Sequence, residues 1–329
     1  DSLLLLNTEN LEFPGNLNAP TIFPFFRDTM RLNDDLELNF SHNIKKRYPA
    51  YKGRGEFTDH LYLDNDGLRG SGTIYYLNSV TATDSVYFYP YRAIAHANSH
   101  HIYEQTSPTD CPVVHVEDAS IDWRAFNDQM ESANRDLFFD AYQENFEFDG
   151  SMVLSPKVLT ASGALYYNEA LTISEAFILQ SRDFTADHSQ FNLFDGPGGD
   201  KIVMGLELYS AMSFEEDFGS FETLTDSARF ELRKNKYHLY FDLMEWDRGN
   251  QSMLFSEFSD DDAWLVSVDQ YQDSLKFYAS DARYDLTNYE LDVDGVSEIL
   301  IPPITIEPDS SHLRILSNGK MERLHNAIL

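Results

Sequence analysis

Cysteine is nearly absent from this chain of 329 residues, because Cys111 is the only one. No disulfide can form within the chain, so cysteine usage does not fix its redox compartment. Long apolar runs are also missing, and none approaches the length of about 18 residues that a membrane-spanning helix needs. Residues 325–329 end the chain on an apolar, strand-like segment without a polar cap, so we expect it to be a piece of a longer protein.

Basic residues are scarce as well. Lys and Arg number 24 against 55 Asp and Glu, which gives a formal net charge of −31. This charge argues against DNA, RNA or an anionic membrane surface as a partner, because those surfaces attract basic patches. It favours solubility and protection of strand edges over a dedicated surface for cations or basic ligands.

Helical patterning is rare, and only residues 123–135 and 214–232 could carry a helix, although both also fit a strand plus a loop. Short alternating segments rich in β-branched and aromatic residues predict strands at 73–77, 85–89, 113–116, 164–167 and 236–241. Turn signals separate such segments at 64–67, 149–150, 194–200, 294–295 and 318–319. The spacing of about 8–13 residues between strands predicts an all-β protein.

An internal repeat relates residues 57–102 to residues 148–193 at a constant offset of 91 without a gap. Phe57 aligns with Phe148, and Ser71-Gly72 aligns with Ser162-Gly163. Residues able to do chemistry differ between the copies, so the repeated information is architectural. A weaker echo at an offset of 123 relates Trp123, Asn127 and Met130 to Trp246, Asn250 and Met253.

These patterns predict an elongated, modular all-β array, β-solenoid or β-helix-like, with sandwich-like units between the repeated strand-turn units. We expect three modules: residues 1–110 with the first repeat copy, 111–204 with the second, and 205–329 with solenoid-like rungs. The closely spaced strands at 284–316 supply those rungs, and Pro302-Pro303 suits a corner between two of them.

Metal-ligand residue types cluster once in the sequence, in a set made of His96, His100, His101, Cys111 and His115. A zinc site is geometrically possible if the chain doubles back at Pro108 and Pro112. The spacing matches no standard finger, and the adjacent histidines would point to opposite faces of a strand. We interpret the cluster as part of a polar loop.

Other motifs of catalysis or ion binding are incomplete. Asp64–Gly67 resembles the start of a calcium loop, but Tyr75 stands where an EF-hand needs Glu, so a turn is expected. Asp260–Asp262 is interpreted as a solvated acidic bend that also guards a strand edge. A Gly-x-Ser-x-Gly elbow, a phosphate-binding glycine loop and a His-Glu-x-x-His motif are absent from the sequence. We therefore assign no catalytic, cofactor-binding or metal-binding residue and expect a protein that is not an enzyme.

Aromatic residues form two ladders, made of Tyr75, Tyr76, Phe88 and Tyr89 in the first copy and Tyr166, Tyr167 and Phe177 in the second. Such ladders can stack on sugars, but cross-strand aromatic packing is their more ordinary role. Paired carboxylates of the kind used for glycoside hydrolysis arise by chance in so acidic a chain.

Several segments resemble very large β-rich exported proteins of Bacteroidota, a family that includes the plug of the type IX secretion translocon. These segments are Arg47–Phe57, Leu68–Leu77, Pro112–Trp123, Phe148–Leu154 and Leu159–Gly163. The resemblance implies a periplasmic protein associated with the outer membrane, which is not catalytic and works by binding and blocking. From the residues themselves we expect no cofactor and no metal.

By this resemblance we expect a structural or interaction protein that plugs or gates the periplasmic end of a large outer-membrane translocon barrel. Two alternatives stay open. One is a cell-surface adhesin or carbohydrate-binding module, and the other is a polysaccharide-active enzyme on a β-helix.

Overall fold

The structure is a computed structural model. It describes residues 5–6, 10–33, 37–142, 146–258, 263–272, 275–301, 303–308, 310–324 and 328. Strands account for 67% and helical turns for 2% of it, which confirms the all-β class. The chain forms two compact units, the first made of Asp1–Ala161 with Leu179–Ser181 and the second of Ser162–Ile178 with Arg182–Leu329. These two units are segments that pack compactly in space, and they do not test the three modules defined by the repeat copies. The division into three modules therefore stays a prediction.

The strands are numbered along the chain. The first fourteen are β1 (Leu5–Leu6), β2 (Asn10–Ala19), β3 (Phe23–Asn33), β4 (Leu38–Ala50), β5 (Gly55–Asp64), β6 (Gly67–Tyr76), β7 (Ser79–Phe88), β8 (Ala93–Ile102), β9 (Val114–Arg124), β10 (Gln129–Asn134), β11 (Phe139–Ala141), β12 (Phe146–Leu154), β13 (Leu159–Tyr167) and β14 (Ala170–Leu179). The others are β15 (Asp183–Phe194), β16 (Lys201–Ser213), β17 (Phe218–Thr223), β18 (Phe230–Leu232), β19 (Tyr237–Tyr240), β20 (Leu243–Asp247), β21 (Ser252–Ser256), β22 (Ala263–Ser267), β23 (Lys276–Ala279), β24 (Asp281–Asp285), β25 (Glu290–Asp294), β26 (Ile299–Ile301), β27 (Ile304–Ile306) and β28 (His312–Ile315). Short 3₁₀ turns lie at Tyr51–Gly53 and Ala125–Asn127.

The first unit is an antiparallel meander. Each strand from β1 to β9 pairs with the next strand along the chain. Strand β9 then pairs with both β10 and β11, which lie end to end and also share β12 as their other neighbour. Short connections join most of these strands, and a longer loop, residues 103–113, joins β8 to β9, so pairing between chain neighbours is the easiest arrangement for most of them to reach.

The second unit divides at β16. Val203–Gly205 of this strand pair with β18, whereas Leu208–Ser213 pair with β17. One branch continues as β17, β20, β21, β24, β25 and β28. The other continues as β18, β19, β22, β23, β26 and β27. Hairpins that follow one another along the chain therefore belong to the two branches in turn.

The two branches of the second unit pack against each other as the sheets of a sandwich do. The rings of Phe230 in β18 and Phe255 in β21 are 5.5 Å apart although they belong to different branches. Alternate residues of both branches are buried, and Tyr237, Leu239, Met244 and Met253 are fully so. This burial confirms that the interior is filled by the alternating apolar positions of short strands.

The solenoid-like arrangement is not confirmed. The described strand pairings are antiparallel, whereas the rungs of a β-helix stack in parallel. The expected rungs at 284–316 are instead strands β24 to β28, of which β26 and β27 form a hairpin in the second branch and the others lie in the first. Pro302, at the expected corner, lies outside the described residues.

The repeat is confirmed strand for strand. Strands β5 to β8 correspond to β12 to β15, and shifting β7 by 91 residues reproduces the bounds of β14. Gly72 and Gly163 share a backbone φ near 150°, and Tyr76 and Tyr167 are both buried. Tyr76 packs on Trp123 and Tyr167 on Phe214, which are themselves 91 residues apart.

The weaker echo at an offset of 123 is also a shared piece of structure. Trp123 faces Met130 across the β9–β10 hairpin, and Trp246 faces Met253 across the β20–β21 hairpin. Asp128 and Gln251 occupy corresponding turn positions and both adopt left-handed backbone conformations. The two segments in which a helix was possible, 123–135 and 214–232, are strands and turns.

Most predicted turns are turns, but the one at Asp149-Gly150 is wrong. Gly150 lies inside β12 with a φ of 149° and marks a bend within the strand. Similar positive φ values interrupt β5 at Asp59, β6 at Gly72 and β9 at Asp118. In β9 the buried positions change from even to odd numbers across the bend, so both halves of the strand keep their apolar side chains inside. In β5, β6 and β12 the same alternation continues on both sides of the bend.

No helix in the described residues is long and apolar enough to cross a membrane.

Candidate functional site

The interpretation of the histidine and cysteine cluster as a polar loop is wrong, because His96, His100 and His101 lie in β8 and His115 lies in β9. Within the described residues no group of three His, Cys, Asp or Glu side chains could hold a metal ion. His100 points into the core and lies 2.8 Å from the hydroxyl of Thr81. Exposed His96 contacts Asp118 and Arg135 instead. The expectation that adjacent histidines face opposite sides is confirmed, because His101 lies on the outer side of β8 and is only partly buried.

The other two members of that cluster, His115 and Cys111, do not complete a metal site with the histidines of β8. His115 lies opposite His101 on the neighbouring strand, with ring centroids 5.8 Å apart. Cys111 is fully buried, and the amide of Asn78 donates to its Sγ at 3.1 Å. Burial raises the pKa of the Cys111 thiol, which makes it a poor nucleophile.

The aromatic ladders divide between the two faces of the sheet. Tyr76, Phe88, Tyr167 and Phe177 are buried, which confirms cross-strand aromatic packing for these four residues. Tyr89 and Tyr166 are exposed. The ladders therefore supply core packing on one face and accessible tyrosines on the other.

Of the two acidic motifs, Asp64–Gly67 lies within the described residues and forms a turn. Asp64 and Gly67 close the two-residue β5–β6 hairpin, and the backbone N–H of Asp66 donates to the Asp64 side chain at 3.0 Å. This geometry confirms the expected turn. Asp260–Asp262 lie outside the described residues.

A row of tyrosine and arginine side chains crosses the outer side of the first unit. Tyr62 faces Arg69 across β5 and β6, and Arg69 faces Tyr87 across β6 and β7. The Arg69 guanidinium is 6.0 Å from the Tyr87 ring centroid, and Arg92 is 5.8 Å from that of Tyr89. We call these five residues the tyrosine–arginine face.

Arg69, in the middle of this face, is held in place by Asp64 at the β5–β6 turn. Arg69 donates to Asp64, and this hydrogen bond raises the pKa of the Arg69 guanidinium. Tyr62, Tyr87 and Tyr89 expose 38%, 36% and 45% of their surface, more than large apolar residues of a closed core do. The face thus combines accessible aromatic rings with an anchored cation, the composition that protein interfaces favour.

A pocket of about 340 Å³ lies in the second unit, where three hairpin turns of the first branch meet the loop 194–200. Its wall includes Asp217 from the β16–β17 turn, Arg248 and Gln251 from the β20–β21 turn, and Leu286 and Tyr289 from the β24–β25 turn. Glu169, Leu193, Phe194, Asp195, Gly196, Ile202 and Trp246 complete the lining. We call it the turn-end pocket.

The turns are tied together by backbone hydrogen bonds. The N–H of Arg248 donates to the carbonyl of Asp217 at 3.0 Å, and the N–H of Leu286 donates to that of Gln251 at 2.9 Å. Asp217, Gln251 and Tyr289 all have φ between 50° and 58°, in the left-handed region that residues other than glycine seldom adopt. The pocket wall is therefore built from backbone held in a specific, costly conformation.

A polar network fixes one side of the pocket. Asp195 accepts hydrogen bonds from the Tyr289 hydroxyl at 2.6 Å and from Lys234 at 2.5 Å. The bond from Lys234 is the main cause that holds the pKa of Asp195 below its usual value. The Lys234 ammonium also sits 3.5 Å from the centroid of the Tyr289 ring. These contacts keep Asp195 ionised and aligned as an acceptor.

An ion pair and a tryptophan form the opposite side. Arg248 donates to Asp217 at 2.6 Å, and its guanidinium lies 5.7 Å from the Trp246 ring. Trp246 is only 3% exposed, and its indole N–H donates to no acceptor among the described residues.

Sequence reasoning locates parts of this pocket but does not assemble them. The 194–200 segment is predicted as a turn and Trp246 is part of the echo, yet nothing links either to Tyr289. The hydrogen bond between Asp195 and Tyr289 joins residues 94 positions apart, and such pairings leave no local pattern. The spacing shared by the Trp246 and Trp123 hairpins is the one available signal.

Comparison of the chain with protein-family models, with curated proteins and with solved structures gives no match.

Proposed function

We propose that this chain is a non-enzymatic structural and interaction protein that binds another protein through the tyrosine–arginine face. The observation that supports it is the row of Tyr62, Arg69 and Tyr87 on three adjacent strands, with an anchored guanidinium between accessible rings. Tyrosine and arginine are the residues that contribute most to binding at protein interfaces, and rings held on strands lose little entropy on docking.

The net negative charge of the chain restricts which proteins can dock closely to it. A net charge of −31 repels other acidic proteins and keeps copies of the chain apart, so close docking requires local complementarity. Arg69 and Arg92 of the tyrosine–arginine face are paired with carboxylates, Arg69 with Asp64 and Asp66 and Arg92 with Asp122, so negative charge at this face is locally balanced. A partner rim rich in carbonyl and hydroxyl groups would meet these paired arginines and accessible rings without adding negative charge.

We further propose that the partner is a large outer-membrane translocon barrel of a type IX secretion system. The chain would act in the periplasm by plugging or gating the periplasmic end of that barrel. The support for this partner is the sequence resemblance, and one of its segments, Leu68–Leu77, carries Arg69 of the tyrosine–arginine face. A rigid antiparallel sheet suits such a task, because it can dock to a barrel rim without refolding.

Native purification of the chain from the cell envelope tests the proposal. We expect it to migrate with a large outer-membrane barrel, identified by mass spectrometry of the intact complex. The double variant Tyr87→Ala/Tyr89→Ala should lower the recovered barrel by about tenfold or more, because exposed interface tyrosines often contribute over about 1 kcal/mol each.

Tyr271→Ala is the matched control, since Tyr271 is 85% exposed and lies outside the tyrosine–arginine face. It should recover as much barrel as the unaltered chain does. Isolation of the chain free of any barrel would contradict a translocon barrel as the partner. Equal recovery with the double variant would remove the tyrosine–arginine face from the interaction.

A further inference from the structure

We propose that the turn-end pocket binds a neutral carbohydrate of one or two sugar rings. This inference is independent of the protein partner proposed above, because the pocket lies in the second unit and the tyrosine–arginine face in the first. The pocket volume of about 340 Å³ lies at the lower end of the range for small-molecule sites and accommodates a ligand of this size.

The lining has the mixed character that a sugar requires. Tyr289 and Leu286 provide apolar surface against which the C–H faces of a pyranose ring can pack, and Trp246, only 3% exposed, closes the wall behind them. Asp195, Asp217 and Gln251 provide oxygen acceptors beside that wall, and Arg248 provides donors. Hydroxyl groups both donate and accept, so a sugar can use both kinds of partner at once.

Charge balance favours a neutral ligand. Three carboxylates line the pocket, from Glu169, Asp195 and Asp217. Arg248 in the lining and Lys234, which pairs with Asp195 from outside it, supply two positive charges. The sum is one negative charge. Both cations are already paired with carboxylates, so a phosphate would have to displace them. A divalent ion lacks a suitable set of ligands within the described residues.

The acceptors are fixed before a ligand arrives. Asp195 is held by Lys234 and the Tyr289 hydroxyl, and Asp217 is held by Arg248. Preorganised acceptors of this kind lower the entropic cost of binding a flexible hydroxyl-rich ligand. Trp246 adds an indole N–H that lacks an acceptor among the described residues, and a ligand hydroxyl that reached it would satisfy a buried donor.

Titration of the full chain with sugars tests the inference. The probes are the methyl glycosides of glucose, galactose, mannose and N-acetylglucosamine, together with maltose and cellobiose. Calorimetry and tryptophan fluorescence should show saturable binding of at least one probe, with a Kd of about 0.1 to 10 mM. Asp195→Asn and Tyr289→Phe should each weaken that binding by about tenfold, because each removes a polar contact or the bond that orients it.

Two exposed positions outside the pocket serve as controls. Asp226→Asn and Tyr271→Phe repeat the same chemical changes there and should leave binding unchanged. Circular dichroism and thermal unfolding show which variants are folded. If a pocket variant unfolds, Gln251→Ala replaces it, since Gln251 is an exposed turn residue and its loss should also weaken binding.

Absence of saturable binding of all six probes at about 50 mM would overturn the proposal, since weaker affinity is not recognition. Binding that both pocket variants leave unchanged would overturn it as well. A response to inorganic phosphate or calcium without any response to the sugars would assign the pocket to another ligand class and equally contradict it.

Discussion

The neighbouring histidines His100 and His101 show how alternation along a strand decides the chemistry of single residues. His100 is buried beside Thr81, and His101 lies near His115 on the outer side. Burial, with smaller contributions from His101 and His115, lowers the pKa of His100 to about 4. Burial likewise raises the pKa of Tyr76 and Tyr167 beyond their ordinary range. In each case the interior favours the uncharged form of the side chain.

The lowered pKa of His100 predicts a pH dependence of stability. The unfolded chain binds a proton at His100 below a pH of about 6.5, whereas the folded chain resists protonation until the pH reaches about 4. Stability from this group is therefore complete above a pH of about 6.5 and is lost as the pH falls through that window. At pH 5 the loss should be about 2 kcal/mol.

Urea unfolding of the unaltered chain and of His100→Asn at pH 7.5 and pH 5 measures this effect. Asparagine keeps a polar atom near Thr81 but does not titrate, so its variant should lose about 2 kcal/mol less between the two pH values. Equal losses in both proteins would show that His100 does not carry the dependence.

At the scale of single elements, the recurring feature is the bend within a long strand. Strands β5, β6, β9 and β12 each contain a residue with positive φ, and glycine fills that position in β6 and β12. A β-carbon on Gly72 would collide with the carbonyl oxygen of Thr58, and Asp59 Cβ would lie 2.7 Å away. The bend in β6 therefore depends both on the backbone freedom of glycine and on its lack of a side chain.

We expect Gly72→Ala to lower the free energy of unfolding by about 3 kcal/mol or more, since it adds a backbone clash to left-handed strain. Gly53→Ala is the matched control, because Gly53 also has a positive φ but a β-carbon added to it would meet no atom within 4 Å. It should cost only about 1 kcal/mol. Chemical denaturation of both variants measures the difference, and similar costs would contradict a role for the Thr58 contact.

For the whole molecule, the surplus of acidic side chains opposes compaction. A charge of −31 spread over one chain produces mutual repulsion that exposed salt bridges, such as Arg182–Glu215 and Arg47–Glu56, do not offset. Added salt shortens the range of this repulsion to roughly 10 Å at 0.1 M and to about 3 Å at 1 M. Stability should therefore rise with ionic strength.

Thermal unfolding in 20 mM and 500 mM NaCl tests this expectation, and we expect the midpoint to rise by several degrees. Potassium chloride should act equally, because screening depends on ionic strength and not on the identity of the cation. A midpoint that falls with salt would mean that attractive ion pairs outweigh the repulsion between like charges.

Local features were predictable wherever an alternation with a period of two residues, or an internal repeat, indicated them. The alternation of Tyr75 and Tyr76 and the copies of Phe57 and Gly72 led to correct strands and buried positions. Asp149-Gly150 misled because the same residue types serve hairpin turns and bends within strands. The choice between them depends on whether the neighbouring strands continue past the glycine.

The amino-acid sequence by itself determined the all-β class, the repeated strand units and the acidic surface, because alternation, repetition and charge are local properties. The division of the second unit into two branches and the meeting of Asp195 with Tyr289 were decided only by the tertiary structure. The backbone N–H and C=O groups of one strand can form hydrogen bonds with many other strands of the chain. The packing of segments distant in sequence therefore decides which of these pairings forms.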